Sequence, residues 1–508
     1  MNVSSSMDTD TNIAANAEPG DFEQEAGPIL FACTGHAGQI NSLLLIAGEL
    51  SRRRVAGLWF VAADERRTNI DGAINGSPIN FVPCGTRDVI EEFNKDPAYY
   101  ATFANHRPMT AKSGLELIRR LLDPARLRAE YQQMLAHIDR VQPRLMVIDT
   151  ATLGAIDAAI ERRIPFILSV PSVLSAFFEG QLPWDYPVIG SGLPRNMRAA
   201  QKVANLWYRL KVRTALFAQF VFSPLISPRK EMGVSYPLGR AERYISNATA
   251  IFCYSVFGLE YPFPAPKHLH MLGTMVPDLS IKRDDSNELL QWLDRHPSVI
   301  YVGFGTLVQL TKDQIAVLIS AFDRLGPDHY ILWKLSEAQR ALLPRKELPA
   351  NVRIEPWVPS QLDVLAHPNV RVFLTHGGGN GFHEGIYFGK PLMVMPFWFD
   401  CFDFAARAID SGVGLALDRP PHFTADEVTR KLTQLLSSSR FRKRAQHWGM
   451  RLRKAGGVSR AADLILSATS TTGNAGSRSM LHDWDTIGLR DSGSTRLNQA
   501  TSRSVNNK

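Results

Sequence analysis

The stretch VRVFLTHGGGNGFHEGIY, residues 370–387, changes character twice. Val370–Leu374 is a short apolar run with β-branched residues, the pattern of a buried strand. It breaks into Thr375-His376-Gly377-Gly378-Gly379-Asn380-Gly381, then resumes with helical character through Glu384, Ile386 and Tyr387. A glycine-rich turn between strand and helix lets main-chain N–H groups close on a phosphate. The helix N-terminus there carries unpaired donors and about half a unit of positive charge. A side chain in the turn would hold the backbone off the anion and forbid positive φ.

The same order recurs along the chain. Gly27–Cys33 reads as a strand, Thr34-Gly35-His36-Ala37-Gly38 as a turn, and Ile40, Leu43, Leu44, Ala47 and Leu50 as a helix stripe. Val55–Ala62 is a second strand, and 87–140 is mostly helix-like, with Leu115, Ile118, Leu121 and Leu122 on one face. Arg144–Asp149 is a strand ending in a carboxylate, followed by a helix at Leu153–Arg162 and a strand at Pro165–Val170. A second series opens at Val299–Thr306 and continues through a helix near Asp313–Arg324, the strand Tyr330–Lys334 and a helix near Phe404–Ser411. Thr424 is placed as the N-cap of a helix over Thr424–Leu436. Alternation of this kind predicts α/β architecture with parallel sheets, and 508 residues exceed one comfortable core.

The expected organisation is a disordered arm at 1–27, a first domain at 28–258, a linker at 259–292, a second domain at 293–440, basic amphipathic helices at 441–467 and a disordered tail at 468–508. Prolines in Tyr261–Pro266 and the polar run Lys282–Asn287 suggest the linker. Aromatics between 171 and 245 (Phe177, Phe178, Trp184, Tyr186, Trp207, Tyr208, Phe217, Phe220, Phe222) fit either the wall of an apolar ligand site or a helical core.

Composition excludes several classes. The chain is 45% hydrophobic and 21% charged, an ordinary globular balance, with a net charge of +8. Arg52-Arg53-Arg54 and Arg440–Arg444 read as solvated helix ends, because the aromatic interleaving of a nucleic-acid face is missing. Cys33, Cys84, Cys253 and Cys401 stand far apart, which fits neither a disulfide scaffold nor a zinc knuckle and suits a reducing compartment. The acidic, polar first residues are no signal peptide, and no run reaches the ~18 apolar residues of a membrane span. A cytoplasmic protein is expected, with peripheral membrane contact left open.

Known phosphate and nucleophile motifs fail: there is no G-x-G-x-x-G and no G-x-x-x-x-G-K-[ST]. A lipase-like reading of HGGG needs G-x-S-x-G, and Ser235 and Ser459 both lack the last glycine. His367, His376 and His383 fit no H-E-x-x-H-like metal set, and D-x-D occurs only at Asp8–Asp10 and Asp483–Asp485, within the two tails, so no metal is expected.

Trp357, Pro359, His367, Pro368, Thr375-His376-Gly377-Gly378, Asn380, Glu384, Gly389, Pro391, Pro396 and Asp400 together resemble the donor-binding signature of family 1 glycosyltransferases, the UDP-dependent enzymes of the GT-B fold. PFWFDCFDFAARAIDSGVG is most similar to fungal members, and Gly379 and Gly381 stand where plant members have Trp and Ser. The resemblance implies two Rossmann-like domains facing each other across a cleft. It also implies an inverting transfer of sugar, glucose first, from a UDP-sugar to a hydroxyl of a lipophilic small molecule. The alternatives are a GT-B epimerase or phosphorylase, or an inactive nucleotide-sugar-binding protein. A monomer without cofactor is expected.

By the same resemblance His36 is the base that takes the acceptor proton and Asp149 its carboxylate partner; a turn-capping role is the alternative for Asp149. Donor binding falls to Gly305, Thr306, Trp357, Val358, Gln361, His376, Gly378, Gly379, Asn380, Gly381, Glu384, Asp400 and Cys401. Trp357 would stack on uracil, Glu384 accept from the ribose, His376 and the following backbone hold the β-phosphate, and Asn380 and Gly381 meet the α-phosphate. Asp400 would bind sugar hydroxyls. Leaving-group charge would be met by the helix dipole, His376 and backbone donors. Cys401 replaces the usual glutamine and cannot make its paired hydrogen bonds, which leaves the donor sugar open.

Overall fold

The computed structural model describes residues 28–35, 37–73, 77–85, 123–222, 241–277, 287–344, 348–418 and 422–472, with isolated positions 96, 100, 101, 104 and 108. The expected arm at 1–27 and the stripe Leu115–Leu122 lie outside the described residues, as does His36.

Two parallel sheets carry the chain. The first holds β1 (Ile29–Ala32), β2 (Leu58–Ala62), β3 (Ile79–Pro83), β4 (Leu145–Asp149), β5 (Phe166–Val170), β6 (Ala250–Cys253) and β7 (Leu269–Met271), in the order β3-β2-β1-β4-β5-β6-β7. The second holds β8 (Val299–Gly303), β9 (Tyr330–Lys334), β10 (Val352–Glu355), β11 (Val370–Thr375), β12 (Leu392–Val394) and β13 (Gly414–Ala416), in the order β10-β9-β8-β11-β12-β13. These are the two Rossmann-like halves of a GT-B fold. In each sheet the strand order reverses beside the first strand, between β1 and β4 and between β8 and β11. That reversal opens a crevice beyond the carboxyl ends of the strands.

The helices used below are α1 (Ala37–Arg52), α2 (Pro124–Val141), α3 (Leu153–Glu161), α4 (Ala199–Phe222), α5 (Lys312–Asp323), α6 (Gly379–Tyr387), α7 (Phe399–Asp410), α8 (Ala425–Ser437), α9 (Ser439–Lys454) and α10 (Gly457–Thr472). Strand side chains alternate between faces. Ile29, Phe31, Leu145 and Val147 therefore join one core with α1 and α10, while Leu30, Ala32, Met146 and Ile148 join another with α2 and α3. The second sheet divides likewise: Val299 and Tyr301 pack towards α6, α7 and α9, and Ile300 and Val302 towards α5 and α8. Thr424 accepts from Glu427 N and caps α8.

Two boundaries differ from expectation. Inside the expected linker, Leu269, His270 and Met271 pair with Ile251, Phe252 and Cys253 of the first domain, so the first sheet continues past the proline run. Prolines end helices, but they tolerate a following edge strand. The expected tail at 468 is also corrected. The α10 helix runs to Thr472, with Ala461, Ala462, Ile465 and Ala468 buried in the first domain's core. Small Ala residues give a weak apolar signal in sequence yet let a helix approach closely. The two C-terminal helices separate: α9 buries Ala445, Trp448 and Leu452 against the second domain, and α10 crosses back to α1, where Arg53 meets Asp463 at 2.6 Å.

Candidate functional site

The two crevices face one another and enclose a cleft of about 630 Å³. Gly305, Thr306, Trp357, Val358, Gln361, His376, Gly378, Gly379, Asn380, Gly381, Glu384, Asp400 and Cys401 all line it. Gly35, Gln39, Asn41, Thr150, Ala151, Ser172 and Phe177 form the first domain's wall. The cleft thus spans both topological switch points.

Glycine crowding defines the part beside His376. This residue follows β11, and Gly378 is the N-cap of α6. A Cβ on Gly378 would lie 2.4 Å from His376 Nε2, and one on Gly305, whose φ is +74°, would lie 2.9 Å from Cε1. Two glycines therefore hold the ring between them. Burial pushes the His376 imidazole down to about 4, helped by the nearby Lys334 charge, and Nδ1 has no hydrogen-bond partner. At neutral pH such an imidazole is uncharged and offers an N–H.

At the other end, Tyr301 Oη donates to Gln361 Oε1 at 3.1 Å and Gln361 Nε2 donates to Glu384 Oε2 at 2.6 Å. The chain of bonds fixes Glu384, whose carboxyl is raised by burial against the opposing effects of the Gln361 bond and Lys334. Trp357 is 62% exposed, with Lys334 Nζ 4.6 Å from its ring centroid, a cation–π contact. An exposed indole beside an ordered carboxylate leaves room for a planar base on one and a diol on the other.

Between these ends the domains already touch. Ser172 Oγ donates to Asp400 Oδ2 at 2.9 Å, and Asn380 Nδ2 donates to Gly38 O at 3.1 Å. Gly379 also lies against the first domain, where a Cβ would be 3.0 Å from Pro171 O. Cys401 is buried; burial pushes its thiol well up, against the opposing effect of backbone hydrogen bonds from Trp398 and Phe397, so it is a neutral part of the cleft wall. Asp403 faces away from the cleft region around Asp400; its two oxygens accept from Gly190 N at 2.7 Å and Gly192 N at 3.1 Å.

On the first domain, Asp149 ends β4 beside the end of β1, from which the His36 loop departs. It is wholly buried beneath Thr150 and Ala151. Oδ1 accepts from Ala151 N at 2.9 Å, while Oδ2 has no partner. Burial, reinforced by Glu130, pushes the carboxyl up to about 7. Glu130 itself accepts from Thr34 Oγ1 at 3.2 Å and Gly154 N at 2.8 Å, which ties α2 to the start of the His36 loop and to α3.

The other histidines scatter. His367 Nε2 meets Asp294 at 3.0 Å, and His383 meets Gly379 O and Ser255 Oγ at 2.8 and 2.9 Å. Among the described residues no group of three or more His, Cys, Asp or Glu is placed to share a metal ion. No described helix is long and apolar enough to cross a membrane. The aromatic run divides: Phe177 lines the cleft, Phe178 and Tyr186 are core, Trp184 and Trp207 are exposed, and the side chains of Phe217, Phe220 and Phe222 are outside the described set. Lys334, Ser172 and Glu130 were missed in the sequence. Lys334 ends a strand beside the switch point, a signal that could have found it; Ser172 and Glu130 had none.

A family model described as UDP-glucoronosyl and UDP-glucosyl transferase matches residues 130–452. Erythritol-mannosyl-transferase 1 of Mycosarcoma maydis is 31% identical over 160 residues, 28% of this chain and 26% of its own length. A UDP-glycosyltransferase of Talaromyces amestolkiae is 28% identical over 262 residues, 46% of this chain and 48% of its own. The chain thus spans between a quarter and a half of these curated relatives. The crystal structure of the glycotransferase of kitacinnamycin superposes with a TM-score of 0.62 at 20% identity, covering 87% of this chain and 99% of that one, a likeness of fold.

Proposed function

The chain belongs to the UDP-glucoronosyl and UDP-glucosyl transferase family, and from that premise we propose that it transfers glucose from UDP-glucose to a hydroxyl of a lipophilic small molecule, with inversion. The acceptor oxygen attacks the anomeric carbon while the bond to UDP breaks and UDP leaves with the electron pair. His36 takes the hydroxyl proton, and Asp149 steadies the resulting imidazolium through its unpartnered Oδ2. Neutral His376 and the N–H groups at the start of α6 receive the β-phosphate; Asn380 and Gly381 meet the α-phosphate. Glu384 takes the ribose, Trp357 the uracil and Asp400 the sugar.

The observation that carries this reading is the meeting of the two switch points in one cleft, with the Gly378–His376 turn on one wall and the loop after β1 on the other. Phe177 gives the acceptor side an apolar surface, which supports a lipophilic acceptor.

The test incubates the purified chain with UDP-glucose and a panel of phenols, sterols and hydroxy fatty acids, with a mannose donor as control because a relative is named a mannosyl-transferase. Glucoside formation with release of UDP is expected, lost in His36→Ala with UDP affinity by calorimetry nearly unchanged. Free sugar or an isomerised donor as the product would instead mark a phosphorylase or epimerase.

A further inference from the structure

We propose that the outward face of α4 is a docking surface for an anionic phospholipid bilayer. The helix is amphipathic in the reverse sense from a core helix. Two of its polar residues face the protein: Asn205 and Arg209 are 1% and 0% exposed. Asn205 donates to Tyr186 O at 2.9 Å, and Arg209 donates to Pro183 O at 2.6 Å and pairs with Glu179 at 3.0 Å. Its apolar residues face out: Val203, Leu206, Trp207 and Leu210 are 69%, 44%, 60% and 40% exposed. The spacing i, i+3, i+4, i+7 makes them one stripe. Trp184, 53% exposed, extends the patch, with the Arg213 guanidinium 4.4 Å from its ring centroid.

Charge selects the occupant. From Tyr186 to Phe222 the sequence contains no acidic residue, and Asp185, next to Trp184, is paired with Arg195 at 3.1 Å. Arg198, Lys202 and Lys211 are exposed, and Lys211 Nζ lies 5.0 Å from the Trp207 ring centroid. Indoles settle at the headgroup level while lysine stems lie along apolar surface and carry their charges to anionic headgroups. A second copy pairing through this stripe would bring Lys202 and Lys211 against their own like, which disfavours self-association. Phe177 in the cleft wall and Glu179, the partner of Arg209, are two residues apart, so docking surface and cleft share one segment. The inference does not depend on the identity of the acceptor.

The experiment floats the full chain with vesicles of phosphatidylcholine alone or with a third phosphatidylserine, at low and high salt. Binding is expected to be about tenfold stronger to the anionic vesicles and to weaken in high salt. Leu206→Ser with Trp207→Ser should remove binding to both; Lys202→Glu with Lys211→Glu should remove the preference for anionic lipid. Melting temperature and near-ultraviolet circular dichroism should stay at wild-type values, because the substituted residues are exposed. Equal binding to both vesicles, no binding, or wild-type binding by the variants would overturn the proposal. So would a dimer in light scattering that Trp207→Ser dissolves.

Discussion

Ser172 Oγ, on the first domain, donates at 2.9 Å to Asp400 Oδ2, on the second, so the carboxylate proposed for the sugar is held from across the cleft before any sugar arrives. Sugar hydroxyls must displace or share that bond. Ser172→Ala is expected to lower the donor KM about two- to threefold, one hydrogen bond's net worth or less. A tenfold rise would instead make Ser172 part of the donor site. Asp400→Asn should raise donor KM about tenfold while leaving UDP affinity, by calorimetry, unchanged.

Asp149→Asn separates catalysis from stability. The transfer rate should fall by about 10²–10⁴, as for loss of a group that orients a base. A carboxyl raised from its ordinary value to about 7 favours the fold while protonated. That contribution is complete below about pH 4 and is lost as pH rises through 7. The variant should therefore gain stability relative to wild type between pH 4 and 7 and hold it above, by a few kcal/mol at most. Thermal melts across that range read the effect; undiminished transfer would leave Asp149 a turn-capping residue only.

Gly378→Ala should displace the His376 ring, since the new Cβ would lie 2.4 Å from Nε2. UDP affinity is expected to drop more than about tenfold, with little change in melting temperature. His376→Gln, which keeps an N–H donor, should retain more affinity than His376→Ala, because the ring is uncharged above about pH 4. Equal losses in the two variants would argue for a charged imidazole.

Arg407 and Glu260 form an ion pair with both side chains 3% exposed, and Glu260 also accepts from Tyr186 Oη at 2.9 Å. Arg407→Met would strand Glu260 in the domain interface. Urea unfolding should show a loss of about 3–5 kcal/mol, and the added change Glu260→Gln should recover part of it. A loss below about 1 kcal/mol would mean that water reaches the pair.

Strand ends and turns were the legible part of this chain. Asp149, His376 and Gly305 each follow an apolar run, and a residue at the carboxyl end of a parallel strand is placed by topology before any contact is known. Lys334 obeys the same rule and could have been found by it. Ser172, 228 residues from Asp400, could not, because local periodicity carries no information about which loops meet. The three-residue strand Leu269–Met271 was hidden by its length and by the prolines before it. The expected end of order at 467 failed because Ala461, Ala462 and Ala468 owe their burial to α1, more than four hundred residues earlier in the chain.

That last helix has a practical consequence. The N-terminal lobe cannot be excised as one contiguous piece, since its core is completed by α10 from the far end of the chain. A protein ending at Lys454 would keep every cleft residue named above and yet expose a greasy seam beside β1, where aggregation would begin.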